Sequence, residues 1–272
     1  MNPTVSVCIP SFNSANTILS TLQSVLNQTF TDIEIIVCDD HSTDNTADIV
    51  KQINDDRVKL IIGEKNIGLA NNFHKALTLA NGKYIKFLCA DDLITPDCIE
   101  KQVRVFKHHS NDNIAMVISE KNVINKNGEI LLKKKFPGKQ GIHNGLRAIQ
   151  KSISLGTNIF GEPGCVLVDR EIACQTSGFL IEDSLTYVMD LNFYCRLLKN
   201  SNLYVLKEPL FSFRVSPSSA TASFKWSQAR IFCKLINKLE REIPINLLTR
   251  TIGKILAYIH CVARNLIFSL SR

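Results

Sequence analysis

Two adjacent carboxylates, Asp91 and Asp92, follow a segment typical of a buried strand. Residues 84–88 form a short apolar run rich in β-formers, and this run ends just before the two acids. Neighbouring carboxylates repel each other, and a divalent cation removes that repulsion. Mg²⁺ and Mn²⁺ are held in proteins by one or two carboxylates together with substrate phosphates. The pattern therefore predicts a metal site with Asp91 and Asp92 as ligands.

The same acids fit a second interpretation. Pro96 suits the first turn of a helix, and carboxylates favour the N-terminal end of a helix. On this interpretation the two acids lie on a solvated loop that merely precedes a helix. The two residues alone leave both interpretations open.

Polar or turn residues also follow three earlier predicted strands. These strands and the residues after them are 5–9 with Pro10, Phe12 and Asn13; 33–38 with Asp39 and Asp40; and 58–62 with Asn66 and Gly68. Helical patterns separate the strands, and this alternation predicts an α/β fold with a parallel sheet covered by helices on both faces. Because such sheets bind ligands at the carboxyl ends of their strands, these residues are expected to form one site.

The remaining pattern continues the alternation less regularly. The predicted elements are a helix after Pro96, a strand over 114–119, a hairpin turn over 125–128, a basic loop over 133–141, a strand over 165–168 and an amphipathic helix from Met189-Asp190. No internal repeat interrupts this order.

Length and composition indicate one large α/β domain, alone or with a small annex. The chain has 272 residues, of which 45% are hydrophobic and 21% are charged, as in ordinary globular proteins. Its nine cysteines form no CxxC pair, and Cys8, Cys38, Cys89 and Cys165 lie in apolar runs, where cysteine behaves as a small apolar side chain. This usage favours a reducing compartment over disulfides or structural zinc. Because the first residues lack the pattern of a signal peptide, we expect a cytoplasmic protein.

The net charge of +7 is concentrated at the C-terminal end. Of the 32 Lys and Arg residues, nine lie from Lys225 onward with two of the 25 acids, so the preceding residues carry 23 of each sign. A nucleic-acid-binding protein more often carries its basic residues on the main domain, which argues against a nucleic-acid partner.

Residues 225–272 are predicted to form a basic amphipathic helical tail. Large apolar residues recur there at helical spacing, in a stripe that comprises Ile252, Ile255, Leu256, Ile259, Val262, Ala263, Leu266, Ile267 and Leu270. Lys254, His260 and Arg264 are placed on the opposite side. Two interpretations remain open, since the stripe can lie on a membrane surface or pack on the preceding domain or a second subunit of a homo-oligomer.

Several segments together resemble glycosyltransferase family 2, the inverting enzymes of the GT-A fold. The segments are VSVCIPSFN at 5–13, SVLNQTF at 24–30, IEIIVCDDHSTDNT at 33–46, Asn66-x-Gly68, and NGKYIKFLCADDLITPD at 81–97. Weaker matches are Gly178-Phe179, Asp190 with Arg196, and Phe213-Arg214. The resemblance covers roughly the first 220 residues and is specific over the first 100.

The resemblance implies a Rossmann-like, mostly parallel sheet in a catalytic domain over residues 1–224, followed by the helical tail. Residues 1–110 would bind the nucleotide sugar, and residues 111–224 the acceptor. The implied reaction is transfer of a sugar from a UDP-sugar to a hydroxyl of a saccharide, lipid-linked in many family members, in surface polysaccharide synthesis. A peripheral position on the inner face of the cell membrane would suit such an acceptor.

The resemblance also assigns the donor-binding residues. Asp40 resembles the aspartate that accepts from the uracil ring, with Pro10, Phe12 and Asn13 lining that pocket. Asn66 and Gly68 belong to the same donor-binding set. Asp91 and Asp92 resemble the metal motif, with Mn²⁺ or Mg²⁺ bridging the donor phosphates, although Cys89 replaces the usual first aspartate. Asp91 is expected to be the principal ligand, and Asp92 either assists it or contacts the ribose. Arg214 either contacts a phosphate or forms a structural ion pair.

Asp190 resembles the general base, which must take the proton of the acceptor hydroxyl as the new bond forms. Met189 replaces the glutamate that usually precedes this aspartate, and Glu182 and Asp183 are the rival candidates. The alternative to an enzyme is a non-catalytic sugar-nucleotide-binding or scaffold subunit. Retention of Asp40, Asp91 and Asp190 favours the enzyme.

Overall fold

One mixed sheet runs through the molecule. The computed structural model describes residues 2–176, 179, 183–215, 224 and 226–270. Its strands are β1 (Val5–Ser11), β2 (Ile33–Asp39), β3 (Val58–Ile62), β4 (Tyr84–Phe87), β5 (Leu93–Ile94), β6 (Ile114–Ile124), β7 (Ile130–Lys134), β8 (Gly141–Asn144), β9 (Val166–Asp169) and β10 (Asn202–Arg214).

The strand order is β3-β2-β1-β4-β9-β6-β10-β5, with β7 beside β6 and β8 beside β10. β1 is parallel to β2 and β4, and β2 is parallel to β3, which confirms the parallel sheet predicted for the first half. Every residue of β1 and β2 is buried, because a parallel sheet is covered on both faces. In the second half, β9 pairs antiparallel with both β4 and β6.

Helices connect and cover the strands. They are α1 (Ile18–Leu26), α2 (Thr46–Lys51), α3 (Leu69–Leu79), α4 (Cys98–His108), α5 (Gly145–Ser154), α6 (Arg170–Gln175), α7 (Met189–Leu198), α8 (Ser227–Leu239) and α9 (Leu247–Leu270), with 3₁₀ turns at Pro163–Cys165 and Asp183–Val188. The first four match the helical patterns of the sequence within one or two residues. Among the described helices, none combines the length and apolar character that a membrane span requires.

The basic segment after residue 130 differs from the prediction. Lys133 and Lys134 lie in β7, which pairs antiparallel with a β6 that extends to Ile124. All five residues of β7 are exposed, so the alternation that marks a half-buried strand is missing from its sequence. The predicted turn is confirmed, with Gly128 at φ 86° and its N–H donating to the carbonyl of Asn125 at 3.1 Å.

The last helix reverses the predicted arrangement of its faces. Lys254 Nζ donates to Asn237 Oδ1 of α8 at 2.6 Å, and a nitrogen of the His260 ring lies 3.1 Å from the carbonyl oxygen of Leu155. Four stripe residues instead face solvent, with between 41% and 56% of their surface exposed: Ile252, Ile255, Ile259 and Val262. For these residues, packing on the catalytic domain is therefore the wrong interpretation.

Small residues explain the reversal. Gly253, Ala257 and Cys261 recur at intervals of four on α9 and are buried. A Cβ atom at Gly253 would overlap the carbonyl oxygen of Ile153 in α5, so the two backbones approach more closely than larger side chains permit. A pattern built on large apolar residues does not reveal such a face, because close approach depends on the absence of side-chain atoms.

Gly253→Ala tests this contact. Helix propensity alone predicts that alanine stabilises the helix by about 1 kcal/mol. Because the added Cβ meets backbone rather than a flexible side chain, we expect the free energy of unfolding to fall by about 1–3 kcal/mol instead. Urea denaturation measures the change, and an increase in stability would contradict the close contact. Ala263→Val on the exposed face is the control and should change stability little.

Candidate functional site

The carboxyl ends of the first four strands lie along one edge of the sheet, which we call the strand-end edge. Ser11 at the end of β1 is in register with Asp39 at the end of β2. The Gly63 N–H donates to the Asp39 carbonyl at 2.8 Å, and the Leu88 N–H donates to the Cys8 carbonyl at 2.9 Å. The polar residues that follow these strands therefore share one edge, as predicted.

Asp40 binds the loop that follows β3. Its side-chain oxygens accept from the Ile67 N–H at 2.8 Å and the Gly68 N–H at 2.9 Å. Asn66 Oδ1 accepts from the same Gly68 N–H at 3.0 Å, and Gly68 has φ 84°, which favours glycine. The structure thus brings the predicted donor residues Asp40, Asn66 and Gly68 together. A carboxylate has about four acceptor positions, so Asp40 retains acceptor capacity for a ligand.

The predicted pocket residues after β1 differ in exposure. Pro10 is buried within β1, whereas Phe12 exposes nearly half of its surface. Asn13 has φ 49° and joins the loops after β1 and β2, since its Oδ1 accepts from the Thr43 N–H at 2.8 Å. Its own N–H donates to Ser42 Oγ at 2.9 Å. Of the three, Phe12 is thus the residue with an exposed ring at the strand-end edge.

Three residues after β4 could hold a cation. One ligand atom from each of Cys89, Asp91 and Asp92 lies within 4.8 Å of the other two. Asp92 is fully buried; its Oδ1 accepts from the Arg214 N–H at 2.9 Å, and its Oδ2 has no hydrogen-bond partner among the described residues. Burial raises the pKa of Asp92 well above its usual range, and repulsion by Asp91 adds to this effect. A divalent cation fits these groups, because it supplies the missing partner and offsets the repulsion.

Arg214 holds the end of β10 against the loop after β4. Its Nε donates to the Asp91 carbonyl at 2.8 Å, and its Nη1 donates to the carbonyls of Lys126 at 2.8 Å and Asn125 at 3.2 Å. In these hydrogen bonds the Arg214 side chain binds backbone carbonyls and not the carboxylate that a structural ion pair requires. These contacts give Arg214 a structural role, and its contact with a phosphate stays a prediction.

Asp190 lies in the first turn of α7 and is half-buried. Its Oδ2 accepts from Asn158 Nδ2 at 2.9 Å, and its Oδ1 accepts from the Leu191 N–H at 2.7 Å. Burial raises the pKa of Asp190 to about 7, and repulsion by Glu162 adds to the increase, while Lys121 and Asn158 oppose it. A carboxylate with this pKa can accept a proton near neutral pH.

Four residues around Asp190 were missed by the sequence reasoning. Lys121 Nζ forms an ion pair with Glu162, and both act electrostatically on Asp190. Tyr194, one turn along α7, is buried, and its hydroxyl has no partner in the described part of the chain. The fourth is Asn158. The turn Gly161-Glu162-Pro163-Gly164 before a strand was a usable signal for Glu162, whereas Lys121 lies beyond the predicted end of its strand.

Two predicted residues lie outside the described part of the chain, and a third is described only in its backbone. Gly178 and Glu182 are not described, nor is the side chain of Asp183, which opens a 3₁₀ turn. Asp190 is therefore the candidate base whose surroundings are described.

Residues 6–173 match the family model for glycosyl transferase family 2. The chain is 37% identical over 123 residues to WfgD of Escherichia coli, a UDP-Glc:α-D-GlcNAc-diphosphoundecaprenol β-1,3-glucosyltransferase, which covers 45% of this chain and 47% of WfgD. It is 32% identical over 244 residues to TuaG of Bacillus subtilis, a candidate teichuronic acid biosynthesis glycosyltransferase, which covers 88% of this chain and 89% of TuaG. The matched part thus spans about half the length of WfgD.

The fold has a solved counterpart in S. aureus TarS 1–349, crystallised in complex with UDP-GlcNAc. That structure superimposes with a TM-score of 0.71 at 20% sequence identity and covers all of this chain and 73% of TarS 1–349. At this identity the similarity shows a shared fold. The family match over more than half of the chain and the nearly full-length similarity to TuaG lead to one conclusion: the chain belongs to glycosyl transferase family 2.

Proposed function

We propose that the protein is an inverting glycosyltransferase that moves a sugar from a UDP-sugar to a hydroxyl of a lipid-linked saccharide in polysaccharide synthesis. The observation that carries the proposal is the group of Cys89, Asp91 and Asp92 after β4, whose ligand atoms lie within 4.8 Å of one another. Asp190, held by the Asn158 amide, supplies a half-buried carboxylate for the proton transfer. The UDP-GlcNAc complex of TarS supports a UDP donor, and the diphosphoundecaprenol acceptor in the name of WfgD supports a lipid-linked one.

The nucleotide half of the donor would bind at the strand-end edge. Asp40 would accept from the uracil imide with the acceptor capacity that the loop leaves free, and the exposed Phe12 ring would contact the base. Asn13, Asn66 and Gly68 would shape the pocket around it, and the buried Pro10 would support its floor. Asp91 and Asp92 would hold Mn²⁺ or Mg²⁺, which when bound stabilises the negative charge on the departing diphosphate.

The acceptor hydroxyl would attack the anomeric carbon from the face opposite the diphosphate. A bond forms between the acceptor oxygen and this carbon, the bond from the carbon to the phosphate oxygen breaks, and UDP leaves with that electron pair. Asp190 takes the proton of the hydroxyl as the new bond forms. Asn158 keeps the Asp190 carboxylate oriented through its amide hydrogen bond.

UDP binding is expected to require Mn²⁺ or Mg²⁺. Asp91→Asn removes a charge from the cation site and should weaken metal-dependent UDP binding by about tenfold or more in calorimetry. Asp97→Asn is the matched control, because Asp97 pairs with Lys101 on the following helix. UDP affinity that is unchanged by EDTA and by Asp91→Asn would contradict the metal assignment.

Asp190→Asn is expected to reduce transfer by about 10²-fold or more while UDP affinity stays nearly unchanged. In the unaltered protein, the rate should fall with pH below about 7, since protonation of Asp190 removes the base. Initial rates measured between pH 5 and 9 test both statements. Transfer near the original rate in the variant would place the base elsewhere, with Glu182 and Asp183 next to test.

Stability measurements separate loss of the base from unfolding. Folding raises the pKa of Asp190 from 3.8 to about 7, so the ionised form costs stability as pH rises from about 4 to 7. Asp190→Asn should therefore equal the unaltered protein at pH 4 and be more stable at pH 8. Asp97 has its pKa lowered, chiefly by a hydrogen bond from Lys101, so Asp97→Asn should lose stability at pH 8.

We further propose that the exposed face of α9 lies on the cytoplasmic face of the membrane that carries the acceptor. Its large apolar residues are spaced four and three apart and exposed: Leu248, Ile252, Ile255, Ile259 and Val262. The excess of basic residues also lies after Phe224. Anionic lipid would attract this charge, and its acyl boundary would accept the apolar face.

Vesicle co-sedimentation should increase with anionic lipid content and decrease with salt. A double variant, Ile255→Glu with Ile259→Glu, should lose binding without disturbing the buried face of α9. Leu131→Glu, which changes an equally exposed residue of β7, is the control and should bind as the unaltered protein does. Equal binding of the double variant would contradict the proposal, and a dimer that the double variant dissociates would make this face a subunit interface.

A further inference from the structure

Cys89 differs from the other cysteines of the β-strand ends in its surroundings. Cys8 and Cys38 are enclosed in the apolar core, whereas Cys89 is half-buried among carboxylates. The Sγ of Cys89 and an oxygen from each of Asp91 and Asp92 lie within 4.8 Å of one another. Cys89 packs against the apolar core, yet its sulfur also lies close enough to two carboxylates for the three residues to hold one ion.

The neighbouring Asp92 provides an independent sign of a missing partner. Its carboxylate is fully buried and is fixed from one side by the Arg214 N–H, but Oδ2 has no partner among the described residues. A buried, unpartnered carboxylate oxygen is costly. Because the ligand atoms of Cys89, Asp91 and Asp92 lie so close together, a single ion can contact all three residues.

We propose that Cys89 is itself a ligand of the cation, in a mixed thiolate and carboxylate site that prefers Co²⁺, Zn²⁺ or Cd²⁺ to Mg²⁺. Thiolate is a soft ligand and Mg²⁺ a hard ion, so the preference follows from the chemistry of the ligands. On binding, the S–H bond breaks, its proton passes to water, and the sulfur electron pair binds the ion. This inference deepens the proposed function and rests on it for the position of the cation.

The direct test is a titration of the metal-free full-length protein with Co²⁺, followed by ultraviolet and visible absorption. A thiolate bound to Co²⁺ gives a charge-transfer band that carboxylate ligands do not give. We expect this band in the unaltered protein, its loss in Cys89→Ser, and its retention in Cys174→Ser, which changes an exposed cysteine. A band that persists in Cys89→Ser, or no band in the unaltered protein, would overturn the inference.

The second test compares UDP affinity in Mg²⁺ and in Cd²⁺ by calorimetry. Cys89→Ser should reduce the preference for Cd²⁺ by about tenfold or more, the scale of changes around metal ligands. Cys89→Asp, which restores a carboxylate, should shift the preference toward Mg²⁺. An unchanged preference in both variants would also count against Cys89 as a ligand.

The two tests distinguish this inference from the proposed function. If UDP binding needs a metal but no thiolate band forms, Cys89 is not a ligand and the metal-dependent transferase remains. If UDP binds equally well without any divalent ion, the metal assignment of the proposed function fails and this inference fails with it.

Discussion

Negative charge concentrated beneath the strand-end edge is the constraint on which the site depends. Four acids act electrostatically on Cys89: Asp91, Asp92, Glu162 and Asp190. Burial raises the pKa values of Asp91, Asp92 and Asp190. Repulsion from neighbouring acids adds to the increase for Asp92 and Asp190. Hydrogen bonds from the backbone of Arg214 and from the Asn158 amide hold two of the carboxylates in place. The remaining repulsion would favour binding of a cation, and burial, with a smaller contribution from repulsion, would leave the Asp190 carboxylate able to accept a proton near neutral pH. Charge that weakens the fold thus provides the proposed chemistry.

Carboxylates at the strand ends have different numbers of partners. Asp39 and Asp40 accept hydrogen bonds on both oxygens, and these bonds shape the loops after β1, β2 and β3. Asp92 has one oxygen without a partner in the described chain. The hydrogen bonds of Asp39 and Asp40 stabilise the strand-end edge, whereas the unpartnered oxygen of Asp92 favours binding of a ligand there. Arg214 also stabilises this edge, since its side chain donates hydrogen bonds to backbone carbonyls.

The sequence predicts most of the parallel half because there each strand is a continuous apolar run and its connections are local. The convergence of Asp40, Asn66 and Gly68 follows directly from the parallel order. Lys121 and Glu162 were missed for a different reason. They meet because β9 inserts antiparallel between β4 and β6, and the pairing of strands distant in sequence leaves no periodic signal. The face of α9 was also misassigned, since the contact depends on small residues.

The two faces of α9 differ in how freely their residues can be substituted. Its contact with the body uses Gly253, where an added Cβ would meet backbone, and Ala257, which is buried. The large residues on its other face contribute little to the core, so they can change without a cost to folding. Relatives with the same donor chemistry could therefore diverge in where they work by altering this face alone. The exposed face of the helix would then determine where the enzyme works without changing the domain that carries out the reaction.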